Sequence, residues 1–454
     1  MKSNRNVIGY ALIVAMGGFL FGLDTAVISG AEKAIQQLYH LSNAWHGFTV
    51  AVALIGTVVG SFSAGWPSEI YGRKKVLLFI AFLYGLSALG CAFAPSWLVL
   101  VTSRFLGGLA IGASSVIGPM YIAEIAPAHI RGRLVALFQF NVVFGIFLAF
   151  LSNYLLAGIG ENAWRWMLGI VAAPAFLFFG LIFLIPDSPR WLVKHNLIAR
   201  AKEVLALCGR VDIDGEINDI VESLNIHADS PAESLFSKKY SRPILYAVLL
   251  AAFNQLSGIN AIMYYAPEIF KSTGDASGSA LMQTVLVGII NVLFTLVAIK
   301  YVDRWGRRTL LLIGCAGMAV CLAIVGAAFY FGFAKGYLVL IAILAYIAFF
   351  AISLGPLAFV VIAEIFSNRN RGMAMSVCIF FLWASVYAVS QSFPMLLASI
   401  GSAFTFWIYM LMSVFAFLFV YKLIPETKGK SLEEIEHYWI PAQKVKQPLQ
   451  LHAK

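Results

Sequence analysis

Two charged side chains stand where a chain this apolar has least room for them. Asp24 lies in FGLDTAV and Arg104 in VTSRFLG, each inside a long run of hydrophobic residues. A lone charge at mid-membrane depth costs roughly 2.5–3.5 kcal/mol, so a buried acid and a buried base call for one another. A carboxyl withdrawn from water favours its protonated form, and a nearby guanidinium opposes that. The pair therefore reads as a proton switch, in which protonation of Asp24 releases Arg104. The alternative reading is a static, neutralising salt bridge.

Such a pair needs membrane-spanning helices to hold it. Hydrophobic residues make up 61% of the 454 and charged ones 12%, far from the balance of a soluble domain. Apolar runs long enough to cross a hydrocarbon core recur at 7–29, 45–66, 76–94, 97–120, 134–156, 166–185, 243–265, 281–302, 309–332, 337–362, 373–393 and 403–424. The expected fold is an all-α polytopic membrane protein with twelve transmembrane helices. At 1.5 Å per residue, Asp24 falls roughly 25 Å along span 1 and Arg104 roughly 10 Å along span 4, which runs the other way. Both then occupy the same outer half of the bilayer, and pairing is expected.

The chain also repeats itself. GWPSEIYGRKK (Gly65–Lys75) is echoed by YVDRWGRR (Tyr301–Arg308), and AEIAPAHIRG (Ala123–Gly132) by AEIFSNRNRG (Ala363–Gly372). PDSPR (Pro186–Arg190) and PETKG (Pro425–Gly429) close the sixth and last runs. The near-constant offset predicts two pseudo-symmetric six-helix bundles, with function between them. The expected units are an N-terminal bundle (1–185), a cytoplasmic linker (186–242), a C-terminal bundle (243–424) and a cytoplasmic tail (425–454). Within the linker, Trp191–Cys208 predicts a basic amphipathic helix and Asp214–Leu224 a shorter acidic one. The repeated loops place Glu69, Arg73, Glu124 and Arg131 in one half and Asp303, Arg307, Glu364 and Arg371 in the other. They read as two charge networks that hold the inner face shut. Gly18/Gly22, Gly56/Gly60 and Gly108/Gly112 mark helix faces that approach closely.

The net charge of +10 invites a nucleic-acid reading, but placement rejects it. Outside the spans, only Lys33, Arg165, Lys271 and Lys335 fall in loops of one parity; the other basic residues lie in the termini and the opposite loops. That bias puts both termini in the cytoplasm. The first run is too long for the hydrophobic core of a cleavable signal and reads as span 1. The five cysteines lack metal-ligand spacing, and the seven histidines fall in tails, loops or span ends, so neither a metal site nor a histidine relay is expected. No nucleophile–base set or phosphate-binding loop appears in the spans, so no enzyme is expected.

GRK (Gly72–Lys74), GRR (Gly306–Arg308), PDSPR, QLSGIN (Gln255–Asn260), SLGP (Ser353–Pro356) and PETKG together resemble the sugar porter family of the major facilitator superfamily. The chain is most similar to its bacterial proton-coupled symporters. The resemblance implies a neutral monosaccharide bound midway across the membrane, between the halves. Amides supply uncharged donors and acceptors to sugar hydroxyls, and aromatic rings pack on C–H faces. The matching amides are Gln139, Gln255, Asn260 and Asn291, with Asn254 replacing a glutamine. The matching aromatics are Phe21, Tyr264 and Trp383, and Gly355–Pro356 marks a break in span 10. Phe359 stands for a frequent tryptophan, Ile146 and Leu382 for amides, and Val171 for an acid found in some symporters. Asp24 matches the coupling acid and Arg104 its partner.

The resulting expectation is a sugar–proton symporter of the bacterial inner membrane, working by alternating access as a monomer with no cofactor beyond the proton. Retention of Asp24 argues against a passive facilitator, and the short tails against a transporter-like sensor. The copies also disagree instructively: Gly22-Leu23-Asp24 aligns with Gly258-Ile259-Asn260, so the acid of one half is the amide of the other.

Overall fold

The computed structural model describes residues 3–210, 212–229, 240–274, 277–334, 337–366, 371–426 and 428. The first half comprises α1 (Ser3–Leu38), α2 (Asn43–Ser63), the short α3 (Gly65–Tyr71), α4 (Arg73–Ala92), α5 (Trp97–Ile125), α6 (Ala128–Leu156) and a sixth span split into α7 (Ala163–Gly169) and α8 (Ala172–Ile182). Three short helices follow: α9 (Pro189–Lys194), α10 (Ile198–Leu207) and α11 (Ile213–Asp229). The second half comprises α12 (Ser241–Leu256) and α13 (Ile259–Lys271), α14 (Ser277–Trp305), α15 (Arg307–Tyr330), α16 (Tyr337–Ile352) and α17 (Leu354–Ile365), then α18 (Arg371–Leu423). The last is two spans in one run, divided where Gly401 leaves helical geometry at φ +78°. Twelve crossings result, as the apolar runs predict, arranged as two six-helix bundles, as the duplication predicts. We call the side where α1 begins the near face and the opposite side the far face.

Three expectations need correction. Span 1 does not stop near residue 29 but continues as helix to Leu38, well beyond the apolar run. The helix expected over 191–208 is two, because Asn196 takes a left-handed conformation at φ +58° between them. Span 7 is not one rod but α12 and α13, parted at Gly258, whose φ of +91° suits a residue without a side chain.

Glycine sets how closely helices cross. A Cβ on Gly22 would run into the Val142 carbonyl, and one on Gly18 would stand 2.6 Å from the Phe138 carbonyl oxygen, so α1 lies backbone-to-backbone on α6. Gly56 and Gly60 meet Phe105 and Leu109 carbonyls, while Gly108 and Gly112 meet those of Ala53 and Thr57, which seats α2 against α5. Lipid gives helices little hydrophobic reason to associate, so this close packing supplies the attraction. The halves touch through α1 with α13, α2 with α18, and α6 with α14.

Candidate functional site

Span 1 and span 4 bring Asp24 and Arg104 together. Arg104 Nη1 stands 3.7 Å from Asp24 Oδ1 and donates at 3.3 Å to the Asp24 carbonyl. Both residues are buried, at 6% and 3% exposure. Asp24 Oδ2 and Arg104 Nε have no hydrogen-bond partner among the described residues. The ion pair is thus long and uses half of each group. Gly107 leaves the room beside it: a Cβ there would stand 3.1 Å from Asp24 Oδ2. Tyr264 of α13, from the other half, is buried within electrostatic reach of both charges.

The second constellation lies at the breaks in spans 7 and 10. Ending a helix inside a bundle strands carbonyls and amides that hydrocarbon cannot satisfy. Here side chains tie the two breaks together. Asn254 Nδ2 donates to the carbonyl of Leu354, the first residue after the span 10 break, and Tyr346 Oη donates at 3.0 Å to the carbonyl of Ser257 at the span 7 break. Asn254 Oδ1 accepts from Gln255 Nε2 at 2.6 Å, and Gln255 Oε1 accepts from Asn260 Nδ2. Three of the predicted amides therefore form one relay across the break in span 7. Its end at Asn260 is half-buried, while Asn254 is fully enclosed.

The other predicted residues are spread along the seam. Phe21 of α1 and Trp383 of α18 face one another across the halves, with ring centroids 5.9 Å apart. Gln139 is exposed midway along α6, and an amide there needs an aqueous space rather than lipid. Asn291 is buried on α14, which packs against α6. Gly355 lies beside the span 10 break, 3.2 Å from Phe350 for a notional Cβ, and Phe359 is 38% exposed a turn further on.

At the near face, the repeated loops build matching anchors. Gly72 and Gly306 take φ of +91° and +85° and turn the chain into α4 and α15. A carboxylate then caps each new helix. Asp187 Oδ1 accepts from the Arg73 and Lys74 amides at 3.1 and 3.4 Å; Glu426 accepts from those of Arg307 and Arg308 at 2.9 and 3.1 Å. These caps come from PDSPR and PETKG, and a Cβ on either glycine would press on the capping carboxylate at 2.5 Å. The Arg73 guanidinium grips both Glu124 oxygens at 3.0 Å and Glu69 at 2.8 Å. Arg307 Nε meets Glu364 at 3.4 Å. Lys194 of α9 pairs with Glu69, and Trp191 Nε1 donates at 2.8 Å to the Glu69 carbonyl, which docks the linker on the first half. Partial burial pushes the Glu69 carboxyl up, but Lys194 and Arg73 outweigh it and hold it below the usual range.

Glu69, Arg73 and Glu124 thus gather at the near end of the first bundle with the linker docked on them, and Arg307 and Glu364 at the near end of the second. Glu124 pairs with Arg73, and Arg131 is exposed on α6. The side chains of Asp303 and Arg371 lie outside the described residues.

Sequence reasoning missed Tyr346, Asp187, Glu426 and, most of all, Glu32 with His46. The last two are buried and paired at the far face. Only the helical extension of α1 to Leu38 brings Glu32 inside; Ala31, Ala34, Ile35 and Leu38, apolar at helical spacing past residue 29, were the available signal.

The family model described as "Sugar (and other) transporter" matches residues 10–439. The chain is 38% identical over 443 residues to the arabinose-proton symporter of Bacillus subtilis (strain 168), covering 95% of this chain and 96% of that one. It is also 38% identical to the D-xylose-proton symporter of Escherichia coli (strain K12), over 96% of each. The inward open conformation of the xylose transporter XylE from E. coli shares its fold with a TM-score of 0.85 at 37% identity, covering 95% of this chain and 100% of that one. Doubled bundles, interlocked breaks and full-length similarity agree, and the chain belongs to the Sugar (and other) transporter family.

Proposed function

We propose that this protein is a secondary active transporter that carries a neutral monosaccharide, a pentose or hexose, together with a proton by alternating access. The observation that carries the reading is the loose Asp24–Arg104 pair. A carboxyl buried in the membrane, half-satisfied by its partner and facing Tyr264 of the opposite half, can change protonation as the halves move. The relatives named as arabinose-proton and D-xylose-proton symporters support the substrate class.

In this reading the sugar binds between the halves, its hydroxyls met by Gln139, Asn254, Gln255, Asn260 and Asn291 and its faces by Phe21, Tyr264, Phe359 and Trp383. Gly355 lets span 10 bend against it. The amide relay presents donors and acceptors already oriented by the two helix breaks, which lowers the ordering cost of binding. Asp24 takes the proton on the far side and releases it on the near side. The near face is cytoplasmic, in keeping with the basic residues gathered there, and the Arg73 and Arg307 networks close that face in the outward-facing state. The units bounded at 185, 242 and 424 move as two bundles joined by the linker. The protein acts as a monomer in the inner membrane and needs no cofactor beyond the coupling proton. A potential of about 100 mV adds roughly 2.3 kcal/mol per proton, close to a fiftyfold gradient of sugar.

The test is uptake of D-xylose, L-arabinose and D-galactose into proteoliposomes, with and without an inward proton gradient, for the wild type and Asp24→Asn. Gradient-driven accumulation that vanishes in the variant is expected. Uptake that ignores the gradient leaves a facilitator, and no uptake of any of the three overturns the substrate class.

A further inference from the structure

We infer that Glu32 and His46 form a second proton-binding site, at the far closure, whose occupancy governs whether the far face opens. Both belong to the first half, on α1 and the first turn of α2, and both are enclosed, at 2% and 5% exposure. His46 Nε2 contacts Glu32 Oε2 directly. The walls around them come from the second half. Tyr265 of α13 sets its ring against the His46 ring, 5.8 Å between centroids and nearly perpendicular, and its hydroxyl donates at 3.1 Å to the Ser390 carbonyl of α18. Gly47, the next residue, packs on the backbone of Gln391, whose side chain donates at 2.8 Å to the Ala44 carbonyl. The pair therefore lies directly beneath the seam that shuts the far face.

A carboxylate against an imidazole nitrogen is a site for one proton. With a neutral imidazole the Nε2–H tautomer donates to the carboxylate, and with one added proton an imidazolium does the same. A second added proton neutralises the acid and leaves the imidazolium buried without its counter-charge, which is expensive in a dry site. Opening the seam lets water reach that cation and relieves the cost. The groups facing the pair are Tyr265, with Tyr264 beside it and Tyr409 behind it, and at the rim the Lys33–Glu268 bridge between the halves at 3.3 Å. Asp24 lies two turns along α1, about 12 Å away at 1.5 Å per residue. The far face thus has its own proton sensor, separate from the coupling acid. It rests on the symport reading only in assuming that this seam opens during transport.

The test is hydrogen exchange of the full chain in lipid nanodiscs, followed by mass spectrometry and corrected for intrinsic rates. Peptides over residues 27–50 and 259–271 report the far seam; peptides over 64–75 report the near face. On going from about pH 7.5 to 5, far-seam exchange should rise roughly tenfold relative to the near face. In His46→Gln that pH response should disappear, while Lys33→Ala keeps it. A wild type whose far seam ignores pH overturns the proposal without reference to any variant. So does a response that survives in His46→Gln. Because no sugar or gradient enters the measurement, its failure is distinct from failure of the symport reading, which the proteoliposome assay decides.

Discussion

Arg104 holds Asp24 in two ways at once: Nη1 stands 3.7 Å from the carboxylate Oδ1 and 3.3 Å from the carbonyl oxygen of the same residue. The carbonyl contact does not depend on the proton. Protonation of Asp24 therefore weakens the ionic part while the guanidinium keeps a backbone anchor on α1. Asp24→Asn should preserve the fold and sugar exchange between equal concentrations, yet lower proton-driven accumulation more than about tenfold. Arg104→Ala removes both contacts and strands a buried acid, at about 3–5 kcal/mol. Its melting temperature should fall well below that of Asp24→Asn, as read by scanning fluorimetry.

The interlocked breaks make a second prediction. Tyr346→Phe removes the donor to the Ser257 carbonyl while conserving shape. A buried carbonyl left unpaired costs about 1–3 kcal/mol. Thermal unfolding in detergent should register that loss, and sugar affinity should weaken with it, because the relay ending at Asn260 hangs from the same break. Unchanged affinity in a destabilised variant would mean that the break is structural only.

Close helix crossings should be visible as a contrast between two glycines. A Cβ on Gly22 meets a backbone carbonyl that cannot step aside, whereas nothing lies within 4 Å of one on Gly9 of the same helix. Gly22→Ala should cost at least about 1–3 kcal/mol and reduce the yield of folded protein. Gly9→Ala should stay within about 0.5 kcal/mol of the wild type. Parallel expression and melting measurements decide it.

The Glu69 network predicts a pH dependence with a definite sign. Its carboxyl is held below the ordinary value of 4.5. A depressed acid contributes stability that is present above its unfolded value and lost as pH falls through its folded one. The difference in melting temperature between wild type and Glu69→Gln should be steady from about pH 8 to 5 and shrink only below about 4.5. Exposure of the group keeps that difference small.

Cys208 should be chemically quiet. Burial pushes its thiol up to about 11, against the opposing pull of Arg210, with Glu216 adding to the rise. At pH 8 the reactive thiolate is scarce. Maleimide should leave this cysteine unlabelled in the folded protein at that pH and modify it once denatured, which peptide mass mapping will read.

Much of this molecule is written locally. Apolar runs specify spans because a lipid-facing backbone must satisfy itself within one helix. The duplicated loops specify two bundles, and the depth of Asp24 and Arg104 follows from counting residues along antiparallel spans. Gly18/Gly22 and Gly108/Gly112 announce close crossings because the absence of a Cβ is itself a sequence feature. Tertiary structure alone decides which groups meet. Glu124 takes Arg73 rather than Arg131, the acids of PDSPR and PETKG become helix caps, and Tyr346 closes a break in a different span. Glu32 and His46 belong to separate elements and look like ordinary polar residues near a loop. Helical spacing past residue 29 hints that α1 continues to Leu38, but nothing local places the pair under the second half. Those partnerships depend on where rigid helices cross, and crossing is settled by packing over the whole bundle rather than by any stretch of chain.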